Sequence, residues 1–166
     1  MCGICGIYNF DDSLVSEKDI QLMNDEMYLR GPDDYGIYNK NNLAIGMRRL
    51  SIIDLEKGQQ PMFSSDKNIV LVFNGEIYNY IELRNELKNK NYKFSTNSDT
   101  EVLIYMYKEY GENFLKKING MFSICIFDKK LNTLIIARDR FGIKPLFYFL
   151  GEKKIVFSSS LKSIKK

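Results

Sequence analysis

The opening stretch, Met1-Cys2-Gly3-Ile4-Cys5-Gly6-Ile7-Tyr8-Asn9-Phe10, decides how the rest of the chain is read. It is short, rich in apolar residues and closed by Asp11 and Asp12, which reads as a strand running from Cys2 to Phe10. A strand that begins at the second residue puts its reactive end at the chain end. Cys2 follows Met1 directly, and its small side chain is compatible with removal of Met1, which would give it a free α-amine. The chain contains no histidine, so a Ser-His-Asp or Cys-His unit, a His-containing zinc site and an imidazole base are all excluded. An α-amine, with a reference pKa of about 7.7–8.0, is neutral often enough near working pH to take a thiol proton. Nucleophile and base would then share one residue. The competing reading is a Cys2/Cys5 redox or metal pair, for which a second CxxC or a histidine would argue, and neither exists. Residues three apart on a strand also point to opposite faces. Cys5 and Cys125 therefore read as core residues.

Outward from this strand, Ser16 and Asp19 mark a helix start, and Ile20, Met23 and Met27 give one buried stripe over about three turns. Arg30-Gly31-Pro32-Asp33-Asp34 breaks the helix, because Pro32 disfavours helix at Gly31. Strands are expected over residues 36–38, 43–47, 50–53 and 69–73. A helix is expected over residues 80–88, with Tyr80, Leu83, Arg84 and Leu87 at helical offsets. The capping-box pattern Ser98-Asp99-Thr100-Glu101 opens another, lined by Leu103, Met106, Tyr107 and Tyr110. Strands at 121–127, 134–138, 146–150 and 155–158 follow, with hairpin-like turns at Lys130-Leu131-Asn132 and Gly151-Glu152. Two helices between two sets of strands suggest two sheets covered by helices. A last helical hint over residues 161–164 stops abruptly at Lys165-Lys166, so the natural protein is expected to continue.

At 166 residues and 45% hydrophobic content the chain can bury the core of one domain, taken as residues 1–166. Charges of both signs are interspersed and the net charge is only +3, which gives no electrostatic footprint for nucleic acid or an acidic membrane. Apolar runs fall far short of the roughly 20 residues that span a bilayer, and the start lacks a signal-peptide core. Three cysteines without secretory features fit reduced thiols. A cytoplasmic enzyme is the default expectation.

Three further signals carry chemistry, each weak alone. Asn74-Gly75-Glu76 follows the strand at 69–73 and offers an amide side chain and an unobstructed Gly N–H as oxyanion donors, although Asn-Gly between apolar segments is also the commonest hairpin turn. Arg49 beside the apolar residues 50–53 can clamp a carboxylate in bidentate fashion, or simply be a solvated surface arginine. Asp99 can hold an ammonium, and equally suits the first turn of its helix.

Their joint order is distinctive. Met-Cys-Gly-Ile at residues 1–4 resembles the start of class II glutamine amidotransferases of the N-terminal nucleophile hydrolase type. Arg30-Gly31-Pro32-Asp33, Arg49-Leu50-Ser51-Ile52-Ile53-Asp54, Gln60-Pro61-Met62, Asn74-Gly75-Glu76-Ile77-Tyr78-Asn79, Ser98-Asp99-Thr100-Glu101, Gly120-Met121-Phe122 and the run from Arg138 to Leu146 resemble the glutaminase domain of glutamine-hydrolysing asparagine synthetases. The resemblance implies an α+β fold, a four-layer αββα sandwich. It also implies hydrolysis of L-glutamine to glutamate and ammonia through a thioester on Cys2. By position, Asn74 and the Gly75 N–H would form the oxyanion hole, Arg49 would bind the α-carboxylate and Asp99 the α-ammonium. Leu50, Ser51, Ile52, Ile53 and Glu76 would complete the pocket. No cofactor or metal is implied in this domain. ATP and Mg belong to a C-terminal synthetase domain, the expected partner, which would use aspartate as ammonia acceptor. Homodimerisation is left open.

Leu29 and Met47 stand where similar proteins often carry histidine, and Ser160 where glutamate is usual. Two other readings compete: the same half-reaction feeding a sugar or an antibiotic or surface-polysaccharide precursor, or a non-catalytic module that keeps the fold. Amidophosphoribosyltransferase and glucosamine-phosphate synthase share the class, but the runs at residues 49–54 and 74–79 favour the asparagine-synthetase branch.

Overall fold

Alternation along the first strand sorts its side chains onto two faces, and the layers of the molecule follow from that sorting. The computed structural model describes residues 1–50 and 58–165. In chain order the elements are β1 (Gly3–Asn9), α1 (Glu17–Asp25), β2 (Asp34–Lys40), β3 (Leu43–Arg49), β4 (Met62–Phe63), β5 (Ile69–Ile77), α2 (Tyr80–Asn89), α3 (Asp99–Tyr110), β6 (Gly120–Asp128), β7 (Thr133–Arg138), β8 (Phe147–Leu150), β9 (Lys154–Ser158) and α4 (Leu161–Ile164). The strands form two sheets, ordered β2-β3-β1-β9-β8 and β4-β5-β6-β7. Every pairing between them is antiparallel.

Three buried clusters define four layers. Cys5 and Ile7 of β1 pack with Ala44, Val156 and the α1 stripe of Ile20 and Met23 on the outside of the first sheet. Ile4 points the other way, joining Leu43, Ile45, Met47, Val70, Val72, Cys125 and Phe157 between the sheets. Leu71 and Phe73 of β5 face outward again, against Leu83, Leu87, Leu103 and Met106 of α2 and α3. The order is helix, sheet, sheet, helices.

The structure corrects several expectations. β5 does not stop at Phe73 but runs through Asn74-Gly75 to Ile77, in register with β6, so this Asn-Gly is strand interior. β3 ends at Arg49 and Leu50 lies outside any strand; residues 51–53 of the expected strand lie outside the described residues. α1 is shorter than expected: it ends at Asp25, and the buried Met27 caps the 3₁₀ turn Tyr28–Arg30 that follows, its N–H donating to Asn24 O and its carbonyl accepting from Arg30 N–H. The capping box of α3 is half formed. Ser98 Oγ accepts from Thr100 N–H at 3.1 Å, whereas Glu101 turns to the preceding loop and accepts from the N–H groups of Ser95 and Thr96 at 2.9 and 2.7 Å. As anticipated, Cys2 and Cys5 diverge, Cys2 packing on the cluster between the sheets and Cys5 on the α1 side.

Candidate functional site

Antiparallel pairing sets the start of β1 beside the end of β3, with Gly3 opposite Arg48. Cys2 is thereby brought to Leu50: the Leu50 N–H donates to Cys2 Sγ at 3.4 Å, and Sγ contacts Leu50 O at 3.5 Å. The same alternation that buries Leu43, Ile45 and Met47 between the sheets sends Arg49 inward with them, and Arg49 is 6% exposed. Arg48, one residue earlier, turns to the helix side, where it bonds Asp25 and lies over the Tyr35 ring at 4.7 Å. The arginine of the pair that reaches the cleft is therefore fixed by strand parity.

The second sheet supplies the opposing wall. Asn74 shares the face of Val70 and Val72, and its buried Nδ2 lies 3.4 Å from Ser123 Oγ. Gly75 runs so close to β6 that a Cβ would stand 2.2 Å from Met121 O, a backbone atom that cannot yield. β4 covers only the start of β5, pairing Met62 with Leu71 and Phe63 with Val70, and side chains take over beyond it. Phe73 N–H donates to Gln60 Oε1 at 2.6 Å and Ile77 N–H to Asp99 Oδ2 at 3.2 Å. Gly75 lies midway between them, and strand alternation points its N–H to the same edge. That edge opens on the cleft.

The cleft, about 160 Å³ and open to solvent, is lined by Cys2, Arg49, Leu50, Gly75, Glu76 and Asp99. Gly58, Gln60, Phe73, Ser98 and Thr100 complete its wall. Asp99 sits in the first turn of α3 and is 4% exposed. Burial raises its pKa above the ordinary carboxylate value, against the opposing bonds from the N–H groups of Ile77 and Thr100, and Glu76 adds to the rise. One wall thus carries a cationic side chain, the opposite one a buried carboxyl, and a thiol lies at the end of β1.

Over residues 1–166 the chain matches the family described as glutamine amidotransferase domain. The chain belongs to that family. The asparagine synthetase [glutamine-hydrolyzing] 1 of Bacillus subtilis strain 168 is 45% identical over 99% of this chain and 26% of its own length. A putative asparagine synthetase 2 of Methanocaldococcus jannaschii is 43% identical, covering 99% and 35%. An asparagine synthetase of Triphysaria versicolor is 41% identical, covering 99% and 28%. This amidotransferase domain therefore spans about a quarter to a third of such relatives. Among solved structures, a glutamine phosphoribosylpyrophosphate amidotransferase from B. subtilis superposes with a TM-score of 0.81 over 99% of this chain and 43% of that one, at 22% identity. An allosteric regulatory enzyme of purine biosynthesis gives the same TM-score at 24% identity. The α+β, four-layer fold of the N-terminal nucleophile hydrolases is the fold of this domain.

Of the residues singled out from the sequence, Cys2, Arg49, Leu50, Gly75, Glu76 and Asp99 line one cleft, whereas Asn74, 1% exposed, is not among its lining residues. Ser51, Ile52 and Ile53 lie outside the described residues. Sequence reasoning passed over Arg30, whose Nε donates to Cys2 O at 3.1 Å from the 3₁₀ turn after α1. Burial lowers the Arg30 pKa, and Cys2 pulls it the other way. It also passed over Gln60 and Thr100. Their only sequence signal was membership of quoted motifs, since their partners lie far along the chain.

Proposed function

We propose that this domain hydrolyses L-glutamine through a Cys2 thioester, after removal of Met1, and supplies the ammonia to an asparagine-forming synthetase domain of a longer protein. The observation that carries this reading is the convergence of the Cys2 thiol, the Gly75 edge of β5, Arg49 and Asp99 on one cleft in a glutamine amidotransferase domain. The freed α-amine takes the thiol proton, and the thiolate adds to the side-chain amide carbon of glutamine. The resulting oxyanion is held by the Gly75 N–H and Asn74 Nδ2, while Arg49 and Asp99 bind the α-carboxylate and α-ammonium. Collapse breaks the C–N bond, and the protonated α-amine gives its proton to the leaving nitrogen, releasing ammonia. Water, deprotonated by the same amine, then hydrolyses the thioester to glutamate and free thiol. ATP, Mg and aspartate belong to the synthetase step outside this chain, and the reduced thiols suit a cytoplasmic setting.

The test is glutamate release from L-glutamine by protein whose intact mass shows Met1 removed, beside Cys2→Ala. Turnover that vanishes in Cys2→Ala is expected. Absence of turnover in correctly processed protein would sink the reading.

A further inference from the structure

The motif Gln60-Pro61-Met62 has no part in the chemistry described so far, yet Gln60 lines the cleft and is 9% exposed. Its backbone is wedged against β2, where a Cβ on Gly36 would stand 2.2 Å from Gln60 O. From that anchor the side chain reaches two elements at once. Oε1 accepts from Phe73 N–H at 2.6 Å, and Nε2 lies 3.5 Å from Thr100 Oγ1. The orientation of the carboxamide is forced, because Nε2 is itself a donor and could not accept from Phe73 N–H. Phe73 immediately precedes Asn74-Gly75, and Thr100 immediately follows Asp99.

We propose that Gln60 is a positioning residue for glutamine hydrolysis, its carboxamide tying the oxyanion edge of β5 to the α3 turn that carries Asp99. This deepens the glutaminase reading and rests on it. β4 is two residues long and leaves β5 without a strand neighbour on that edge at Phe73, the other edge being paired with β6, so Gln60 Oε1 takes the place of a strand carbonyl just where the Gly75 N–H must be held in line. The two arms serve different constants. The Oε1 arm holds the oxyanion donor, which acts in the transition state and governs kcat. The Nε2 arm holds the turn that binds the α-ammonium, which governs KM.

The experiment compares parent, Gln60→Leu, Gln60→Glu and Thr100→Val, all with Met1 removed, in glutamine hydrolysis and in amide hydrogen exchange at Phe73. Loss of a whole oxyanion donor costs about 100- to 1,000-fold in kcat, so misplacing one in Gln60→Leu is expected to cost about 10- to 100-fold. Gln60→Glu keeps an acceptor for Phe73 N–H and is expected to bring kcat back to within about threefold of parent; Thr100→Val is expected to raise KM with kcat held within about threefold. Phe73 exchange is expected to quicken in Gln60→Leu, with Leu71 still protected, and not in Gln60→Glu. A kcat for Gln60→Leu within about twofold of parent, or a Gln60→Glu no better than Gln60→Leu, overturns the inference. A processed parent that releases no glutamate overturns the glutaminase reading instead, and this inference with it.

Discussion

The three thiols of the chain differ by environment alone. Burial pushes the thiols of Cys5 and Cys125 well up, which keeps them protonated and inert, whereas Cys2 is half-buried at the cleft. Burial acts on Asp99 in the same direction. The positive end of the α3 dipole favours its charge, but desolvation outweighs it and raises the pKa above the ordinary 3.8. A carboxyl whose folded-state pKa is raised leaves the fold unpenalised below its unfolded pKa. Stability is lost as pH rises through the folded value. Asp99→Asn, whose Oδ1 can still accept from Ile77 N–H, is thus expected to melt about 2–4 °C above the parent near neutral pH without glutamine. The gap should close as the pH falls to about 3, below the unfolded pKa, where the parent carboxyl is neutral in both states. The same variant is expected to raise KM for glutamine at least about tenfold, because the substrate ammonium loses its buried counter-charge. Melting curves across this range, set beside KM, decide the matter: a variant that melts lower than the parent near neutral pH, with the deficit vanishing in acid, would mean that Asp99 serves the fold through its charge.

At the level of elements, the run from Arg138 to Leu146, one of the motifs that carry the family resemblance, builds the end of β7 and the loop that follows it. Asp139, 5% exposed, accepts from the N–H groups of Phe122, Phe141, Ile143 and Lys144 at 3.2, 3.1, 2.9 and 3.0 Å. Burial opposes its charge, but these backbone bonds prevail and hold the carboxyl below the usual range. Stability from this group is present above its unfolded pKa and is lost as pH falls through the folded one. Asp139→Ala strands four backbone donors, that of Phe122 buried and the other three part-buried, and is expected to cost about 1–3 kcal/mol in urea unfolding, with the deficit shrinking in acid; a cost below about 0.5 kcal/mol would show that water replaces the carboxylate. Local periodicity made most elements legible: β1, the α1 cap at Ser16 and the stripe of α3 all follow from residues close in sequence. β5 was misread at its end because Asn74-Gly75 carries a turn signal locally, and only pairing with residues 120–123 of β6 shows it as strand. Gln60 was silent for the same reason, its partners lying 13 and 40 residues away.

For the molecule as a whole, antiparallel pairing decides what is left open. The first sheet ends in β8, where Phe147, Tyr148, Phe149 and Leu150 are 41, 69, 54 and 62% exposed. An edge strand offers unpaired N–H and C=O groups, and here it also presents four large apolar side chains with no charge among them. The only pairing of β8 within the described sheets is with β9, so its outer edge is a template for another strand. The isolated chain is therefore expected to self-associate, with a sedimentation-average mass that climbs above that of one chain as concentration rises. Tyr148→Lys combined with Leu150→Lys places two like charges on that edge and should return the chain to a single species. Neither residue lines the cleft, so kcat and KM for glutamine should stay with the parent. If the double variant associates as strongly as the parent, the contact lies elsewhere on the surface. A loss of turnover without loss of fold would instead tie β8 to the geometry of β1, two strands away, and through it to Cys2.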